Sequence, residues 1–510
     1  MSAKKEFGDF QTPLPLAKEI VTLVDGLIGV PARVVEPTAG LGSFLEAAES
    51  AWGVHAKYEG YEINASYVEK ANGHLEARGI RVKEQDFFSA DWKLIFNAEK
   101  SAEVLVLGNL PWVTNADLGS LGSKNLPAKT NFQGLGGFDA KTGKSNFDIA
   151  EWMLIRLIET LPTRGSLAVL CKTMTARKVL RHFWKMDQGR EDASLFLIDA
   201  KTHFAVSVDA CLFFLRGKAT CDLTATVFSS LDTSKRKSDF GLVDGHLVSD
   251  VADYKKLRDL DGGSPYAWRS GLKHDASEVM ELTPSNGNFV NGYGELVAIE
   301  ERFLFPLLKS SDLGNGRCFA RKKVLVTQKS TGEDTKQIRL LAPRTWGYLE
   351  AHSAKLDGRK SSIYLNRPRF SIFGIGDYSF ALWKVAISGL YGNYRFLVVP
   401  PDSGKPVLLD DTCYSIACGG KEEATLIAEL LNSEICQRFV KSLVFADSKR
   451  PITVDVLRRI SLVAIAKRLG RLPELVRLGE NPHPSPTGQP NQMQLVMEEP
   501  AKSRASRVTG

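Results

Sequence analysis

The chain lacks the marks of a secreted, membrane-bound or metal-centred protein. Its seven cysteines are an odd count with no CxxC pair, which excludes a disulfide framework and fits a reducing compartment. Cys413 and Cys418 have no second Cys/His pair beside them and the eight histidines are scattered, so no metal is expected and these thiols read as buried and structural. No apolar run reaches the ~18 residues that span a bilayer, and Met1-Ser2-Ala3-Lys4-Lys5-Glu6-Phe7 holds no apolar signal core. The expectation is a cytoplasmic protein without membrane contact. Internal repeats are absent too. Excess charge is small: +7 over 510 residues is compatible with a polyanionic partner but does not name one. What is present is 43% hydrophobic and 25% charged residues, enough for two or three globular domains.

The first ~230 residues alternate strand and helix patterns at the spacing of a doubly wound sheet. Val34-Val35 leads through a glycine-bearing loop into a helix over Ser43 to Ala51. Strands are predicted over Lys57 to Glu62, Ile80 to Val82, Val104 to Leu107, Leu167 to Cys171, Leu195 to Ile198 and Ala210 to Leu215. Between them, Ala65 to Arg78 and the apolar positions 147, 150, 154, 157, 158 and 161 keep helical spacing. This is a Rossmann-like α/β domain, assigned to residues 1–235. The polar stretch Thr233-Ser-Lys-Arg-Lys-Ser-Asp239 reads as a boundary. A mixed α+β domain is expected over 236–475, with Ile427, Leu430, Leu431, Ile435 and Phe439 as a core helical stripe. Prolines 482, 484, 486, 490 and 500 mark 476–510 as a disordered tail.

The chemistry concentrates at the ends of the predicted strands. Asn109-Leu110-Pro111-Trp112 follows the run Glu103 to Gly108. An Asn side-chain oxygen and the next backbone carbonyl can both accept from one NH2 group, drawing its lone pair out of conjugation, while a following aromatic offers a flat base a stacking surface. The pattern reads as amino-group methylation. Upstream, Glu36-Pro37-Thr38-Ala39-Gly40-Leu41-Gly42 supplies a loop for the methyl donor, a weak signal alone. Glu62, followed by Ile63, is placed to accept ribose hydroxyls, and Asp86, followed by Phe87, an adenine amino group; Glu36 could meet a cationic amine. Acidic strand ends around a single glycine loop suit a sulfonium cofactor better than a pyrophosphate. Helix capping is the alternative role for any one of these acids.

Phe10-Gln11-Thr12-Pro13, the loop from Glu36 to Gly42, Glu62, Asp86-Phe87, Asn109 to Trp112, Ser145-Asn146-Phe147-Asp148 and His203-Phe204 stand in the order of the gamma-type N6-adenine DNA methyltransferases, and the first ~215 residues resemble that family. The resemblance implies S-adenosylmethionine as cofactor, with Thr12 at its methionine end, Phe87 flanking its adenine, and Thr38, Gly40, Gly42 and Ile63 completing the set. It implies that Asn109 and the Leu110 carbonyl accept the amino protons of an adenine flipped out of the duplex, beside Pro111, with Trp112 on one face and Phe204 closing the other. Family members carry Pro where this chain has Leu110, yet Leu supplies the same carbonyl, with a less rigid φ. Lys172 also stands where many relatives have Pro, which puts the adjacent loop's shape in question.

An Asn-Leu-Pro sequence is shared with rRNA adenine dimethylases, and a related site with glutamine methyltransferases; the long second half separates these. Tyr266 to Asp275, and Arg367 to Tyr378 extended by Lys384, resemble the TaqI-like specificity region of restriction–modification enzymes, with Trp268, Arg269, Lys273, His274, Arg321-Lys322-Lys323 and Trp346 as further basic and aromatic residues. Such residues can neutralise phosphates and contact bases, though each can equally be a solvated face. Double-stranded DNA is the expected partner, with a separate restriction endonuclease possible. An RNA adenine methyltransferase and a non-catalytic DNA-binding subunit remain as alternatives.

Overall fold

The computed structural model describes residues 10–98, 103–112 and 149–479. The Ser145 to Asp148 segment and positions 480–510 of the expected tail lie outside the described residues. The chain divides into two compact units, Met1–Ala252 and Asp253–Gly510.

In the first unit, Pro13 opens α1 (Leu14–Ile28), where its fixed φ and missing N–H cost nothing, and α1 buries Leu16, Ala17, Ile20, Val21 and Val24 at helical spacing. Then follow β1 (Arg33–Glu36), α2 (Ser43–Trp52), β2 (Lys57–Glu62), α3 (Ala65–Leu75), β3 (Arg81–Glu84), α4 (Trp92–Phe96) and β4 (Val104–Asn109). After α5 (Ile149–Thr160) come β5 (Ser166–Lys172), α6 (Thr173–Trp184), β6 (Ser194–Ile198), α7 (Ala200–Phe204), β7 (Ala210–Arg216), β8 (Thr224–Phe228), β9 (Arg236–Val243) and β10 (His246–Val248). These ten strands join one sheet in the order β10-β9-β8-β6-β7-β5-β4-β1-β2-β3, and the short strands Gly189–Arg190 and Ala219–Thr220 pair separately. The pairs β3-β2, β2-β1, β1-β4 and β4-β5 are parallel, whereas β7 runs antiparallel between β5 and β6. The central strands are buried along their length, as parallel strands covered on both faces must be.

The expected boundary at 235 shifts. Arg236 to Asp239 is not a linker: β9 pairs antiparallel with β8 and then with β10, extending the first sheet, and Thr226 Oγ1 donates to Asp239 at 2.9 Å across that pair. A strand near a sheet edge has a solvated side, so its polar composition is tolerated.

The second unit holds two further sheets, bearing out the mixed α+β expectation. One has the order β11 (Arg269–Ser270), β20 (Cys413–Cys418), β17 (Trp383–Ser388), β18 (Leu397–Val399). The other runs β14 (Leu296–Val297), β13 (Asn288–Val290), β12 (Glu281–Ser285), β16 (Lys322–Leu325), β15 (Leu304–Leu308), β19 (Leu408–Leu409). Leu282, Leu304, Val324, Leu349 and Phe370 share a core. Between the sheets in sequence lie α8 (Ile338–Leu341) and α9 (Pro343–Ala351). The stripe from Ile427 to Phe439 is two helices, α10 (Lys421–Asn432) and α11 (Glu434–Leu443), broken at Ser433, and Ile427, Leu430, Leu431 and Phe439 are buried. Nor does the tail begin at 476, because a last helix runs over Leu472–Gly479 and buries Leu475. Cys413 and Cys418 are buried free thiols on one strand.

Several basic residues of the second half turn inward. Glu281, almost fully buried, accepts from Lys309 Nζ at 2.6 Å and Lys322 Nζ at 3.0 Å, with His274 Nε2 at 3.6 Å. Although burial opposes its ionisation, these donors hold its carboxyl down at about 2. Arg321 pairs with buried Asp312 at 2.8 Å. Lys384 is buried; its ammonium donates to the carbonyls of Val407, at 3.0 Å, and Ala381, and burial pushes it down to about 8. Trp268 is buried as well. Glu281, Asp312, Lys384 and Trp268 thus belong to the interior of the unit, whereas Arg321 and Lys322, with side chains 57% and 42% exposed, reach the buried acids from its surface.

Candidate active site

Because β1 lies between β2 and β4, the strand order reverses there, and a ligand in an open α/β sheet binds outside the carboxyl ends of the strands at that reversal. Glu36, Glu62 and Asn109 are the last residues of β1, β2 and β4. A cleft of about 870 Å3, open mouth included, lies there. Its lining brings together Thr12, Glu36, Thr38, Gly40, Glu62, Ile63, Asp86, Phe87, Asn109, Leu110 and Pro111, spread over a hundred positions of sequence.

Asn109 is held by two hydrogen bonds. Its Nδ2 donates to the Phe10 carbonyl at 2.8 Å, which leaves Oδ1 as the acceptor; Oδ1 is buried and has no partner among the described residues. Thr38 Oγ1 donates to the Asn109 carbonyl at 3.1 Å, tying the glycine loop to the end of β4. The next residue continues the sheet, with Leu110 N donating to Leu170 O at 3.3 Å and the Leu110 side chain 1% exposed. A buried acceptor without a donor is unfavourable by roughly 1–3 kcal/mol, so this oxygen is organised for a group that brings N–H.

The other end of the cleft is acidic. Glu36 is 2% exposed and its Oε2 has no partner among the described residues. Burial pushes its carboxyl well above the ordinary carboxylate range, the neighbouring Glu62 charge adds to this, and the Leu45 backbone amide offsets part of it. Glu62 accepts from Gly40 N at 2.8 Å and Asn64 N at 2.9 Å, so it shapes the loop it faces; a carboxylate has about four acceptor positions, which leaves capacity for hydroxyls. Asp86 Oδ1 accepts from Phe88 N at 2.9 Å, and the Phe87 ring packs on Trp92 at 4.8 Å. An orphan buried carboxylate oxygen, a second carboxylate and an aromatic wall fit a cationic adenosine ligand such as S-adenosylmethionine.

Three expected site residues stand apart from this lining. Gly42 begins α2 at φ +82°, and a Cβ there would come within 2.4 Å of Leu75 Cδ1, so packing against Leu75 alone requires glycine at that position. Gly40, at φ +54°, would press a Cβ against the Gln11 side chain at 2.6 Å, and Gln11 in turn accepts from Leu41 N at 3.0 Å. Trp112 and Phe204 are buried in an aromatic cluster with Phe10, with ring centroids 5.0 Å apart for Trp112–Phe204, 5.5 Å for Phe10–Trp112 and 6.2 Å for Phe10–Phe204. The Trp112 and Phe204 rings meet edge to face, so they do not stand across a slot ready for a flat base; the rings must part to admit one. Phe10 was visible only as a motif letter, yet its carbonyl holds Asn109 and its ring completes the cluster. Tyr67 and Met153, also in the lining, carried no sequence signal beyond helical spacing.

No family model matches the chain. It is 44% identical over 471 residues to the Type II methyltransferase M.NspV of Nostoc sp., covering 91% of this chain and 98% of the relative. Among solved structures, the Type IIL restriction–modification enzyme MmeI in complex with DNA superposes loosely, at 13% identity and TM-score 0.46, over 81% of this chain and 60% of that one. The type I restriction–modification methyltransferase subunit from Streptococcus thermophilus covers 45% of this chain and 49% of its own, at 17% identity and TM-score 0.31. The chain thus spans less than two thirds of either solved chain.

Proposed function

Since the chain belongs to the type II DNA methyltransferase family, which takes its methyl group from S-adenosylmethionine, we propose that it methylates the exocyclic amino group of an adenine flipped out of duplex DNA. The observation that supports the reading is the buried Oδ1 of Asn109, without a partner among the described residues, on a residue that lines the same cleft as the acidic strand ends. When bound, S-adenosylmethionine supplies an electrophilic sulfonium methyl. Glu36 would meet its cationic amino-acid end beside Thr12, Glu62 its ribose hydroxyls, and Asp86 and Phe87 its adenine. Asn109 Oδ1 and the Leu110 carbonyl accept the two amino protons of the target base, which turns the nitrogen lone pair toward the donor. Positioning and fixed dipoles account for the rate gain, and no side chain needs to act as a general base before transfer. Trp112 stacks on the base once its contact with Phe204 opens. The first unit carries donor and catalysis and the second carries target recognition, in a cytoplasmic enzyme.

The test is transfer of labelled methyl groups to unmethylated duplex DNA, followed by digestion to nucleosides. Label in N6-methyladenine that disappears in Asn109→Ala supports the reading. Label in N4-methylcytosine, in RNA or in protein overturns it.

A further inference from the structure

Several of the second unit's exposed cations lie on a ledge. Two segments build it, Thr327 to Gln337 and Tyr364 to Phe373. Thr327 Oγ1 donates to Phe370 O at 2.8 Å, Thr335 Oγ1 to Arg369 O at 2.5 Å, and Ile372 N to Gln328 Oε1 at 3.3 Å. Thr327 and Thr335 are 0% exposed, so the ties are shielded from water. Beneath them the Arg359 guanidinium donates to His274 O at 3.1 Å and Ser371 O at 2.7 Å, and lies 3.7 Å from the Tyr364 ring centroid.

From this base projects Leu365-Asn366-Arg367. Leu365 is 69% exposed, Asn366 turns the chain at φ +58°, and both Asn366 and Arg367 are exposed. Arg367 has no ion pair among the described residues and only the Phe373 ring at 5.8 Å, whereas Arg369, two residues on, is fixed to Asp357 at 2.8 Å. Gly332 faces Arg367: a Cβ there would sit 3.7 Å from its Nη1. On the same segment as Gly332, Lys329 and Lys336 are exposed and form no ion pair among the described residues, while Glu333 is occupied by the amides of Lys329 and Ser330.

A patch that bound phosphate alone would need only cations. Here an aliphatic side chain, an amide and a guanidinium are exposed in succession on one turn, and exposed lysines stand on the segment tied to it. That is the arrangement of a groove reader: the fork of Arg matches guanine O6 and N7 in the major groove, and flanking lysines match the backbone. We propose that Arg367 is a specificity-determining residue that reads a guanine of the target site, with Lys329 and Lys336 on adjacent phosphates. This rests on the reading of duplex DNA as substrate.

Purified wild type, Arg367→Ala, Arg367→Lys, Lys336→Ala and Arg369→Ala are compared on a library of duplexes covering every base at each position of the wild-type site, with donor binding measured by calorimetry. Arg367→Ala is expected to lose roughly 5- to 150-fold in kcat/KM on the wild-type site and to stop discriminating at one guanine, with donor affinity unchanged. Arg367→Lys, which keeps the charge but not the fork, is expected to relax that position equally. Lys336→Ala is expected to slow all sequences alike and to flatten the salt dependence. Arg369→Ala keeps the wild-type profile. A wild-type base profile in Arg367→Ala, or one restored by Arg367→Lys, overturns the proposal while leaving DNA methylation standing. A wild type that methylates no duplex overturns both.

Discussion

Glu36→Gln isolates the charge in the donor end of the cleft with almost no change of shape. Glu36 is buried, its Oε2 lacks a described partner, and its carboxyl is pushed up by burial and by Glu62. A hydrogen bond to a charged group contributes about 1.5–3 kcal/mol, so removing the charge should weaken S-adenosylmethionine binding roughly 10- to 150-fold. The sign of the pH dependence follows from the raised carboxyl. The folded chain holds this proton above the ordinary value of 4.5, so its contribution to stability is full below that value and is lost as pH rises through the folded pKa. The ligand-free Gln variant should therefore melt no lower than wild type at neutral pH. Donor affinity should rise with pH across the same window, because a cation favours the ionised carboxylate and releases the proton. Calorimetry in two buffers of different ionisation enthalpy reads both affinity and proton release. A Gln variant that binds the donor as tightly as wild type, with no proton release in either protein, refutes the assignment of Glu36 to the cationic end.

Leu110→Pro matches the relatives' sequence but removes the N–H that donates to Leu170 O and trims a buried side chain; a stability loss of about 1–3 kcal/mol with kcat within a few fold is expected. A folded but inactive Pro variant would show that more than the carbonyl matters at this position. Asn109→Asp places a carboxylate oxygen where Nδ2 now donates to Phe10 O, so activity should fall at neutral pH and recover partly under acid as the carboxyl becomes a donor. A pH–rate profile parallel to wild type would refute this.

The central strands were legible because parallel strands covered on both faces are written as continuous apolar runs, and their helices keep the 3.6-residue period. The hairpin of β9 and β10 was not, since Arg236 to Asp239 has the composition of a linker and only its pairing with β8 makes it a strand. The break at Ser433 hid inside an unbroken apolar stripe. In the site, acids at strand ends were readable from local order alone. The contacts of Phe10 were not, because they join positions 99 and 194 residues apart in the chain, to Asn109 and Phe204. Gly42 shows a related ambiguity: a positive φ and a close approach look the same in sequence whether the approaching atom belongs to a ligand or to a side chain such as Leu75.

The two hydrogen bonds that hold Asn109 come from segments that also line the donor end of the cleft. Phe10 precedes Gln11 and Thr12, and Thr38 sits in the loop that Glu62 shapes through Gly40. Turning the acceptor oxygen therefore breaks the bond to Phe10, while Thr38 ties the Asn109 backbone to the donor loop. This also accounts for Asn at position 109 in this chain. A carbonyl on one side demands a donor, the target amine on the other demands an acceptor, and a primary amide is the side chain that offers both at fixed separation. A neutral Asp could meet the same pair only by keeping its proton toward Phe10, at a pH where Glu36 would be neutral as well.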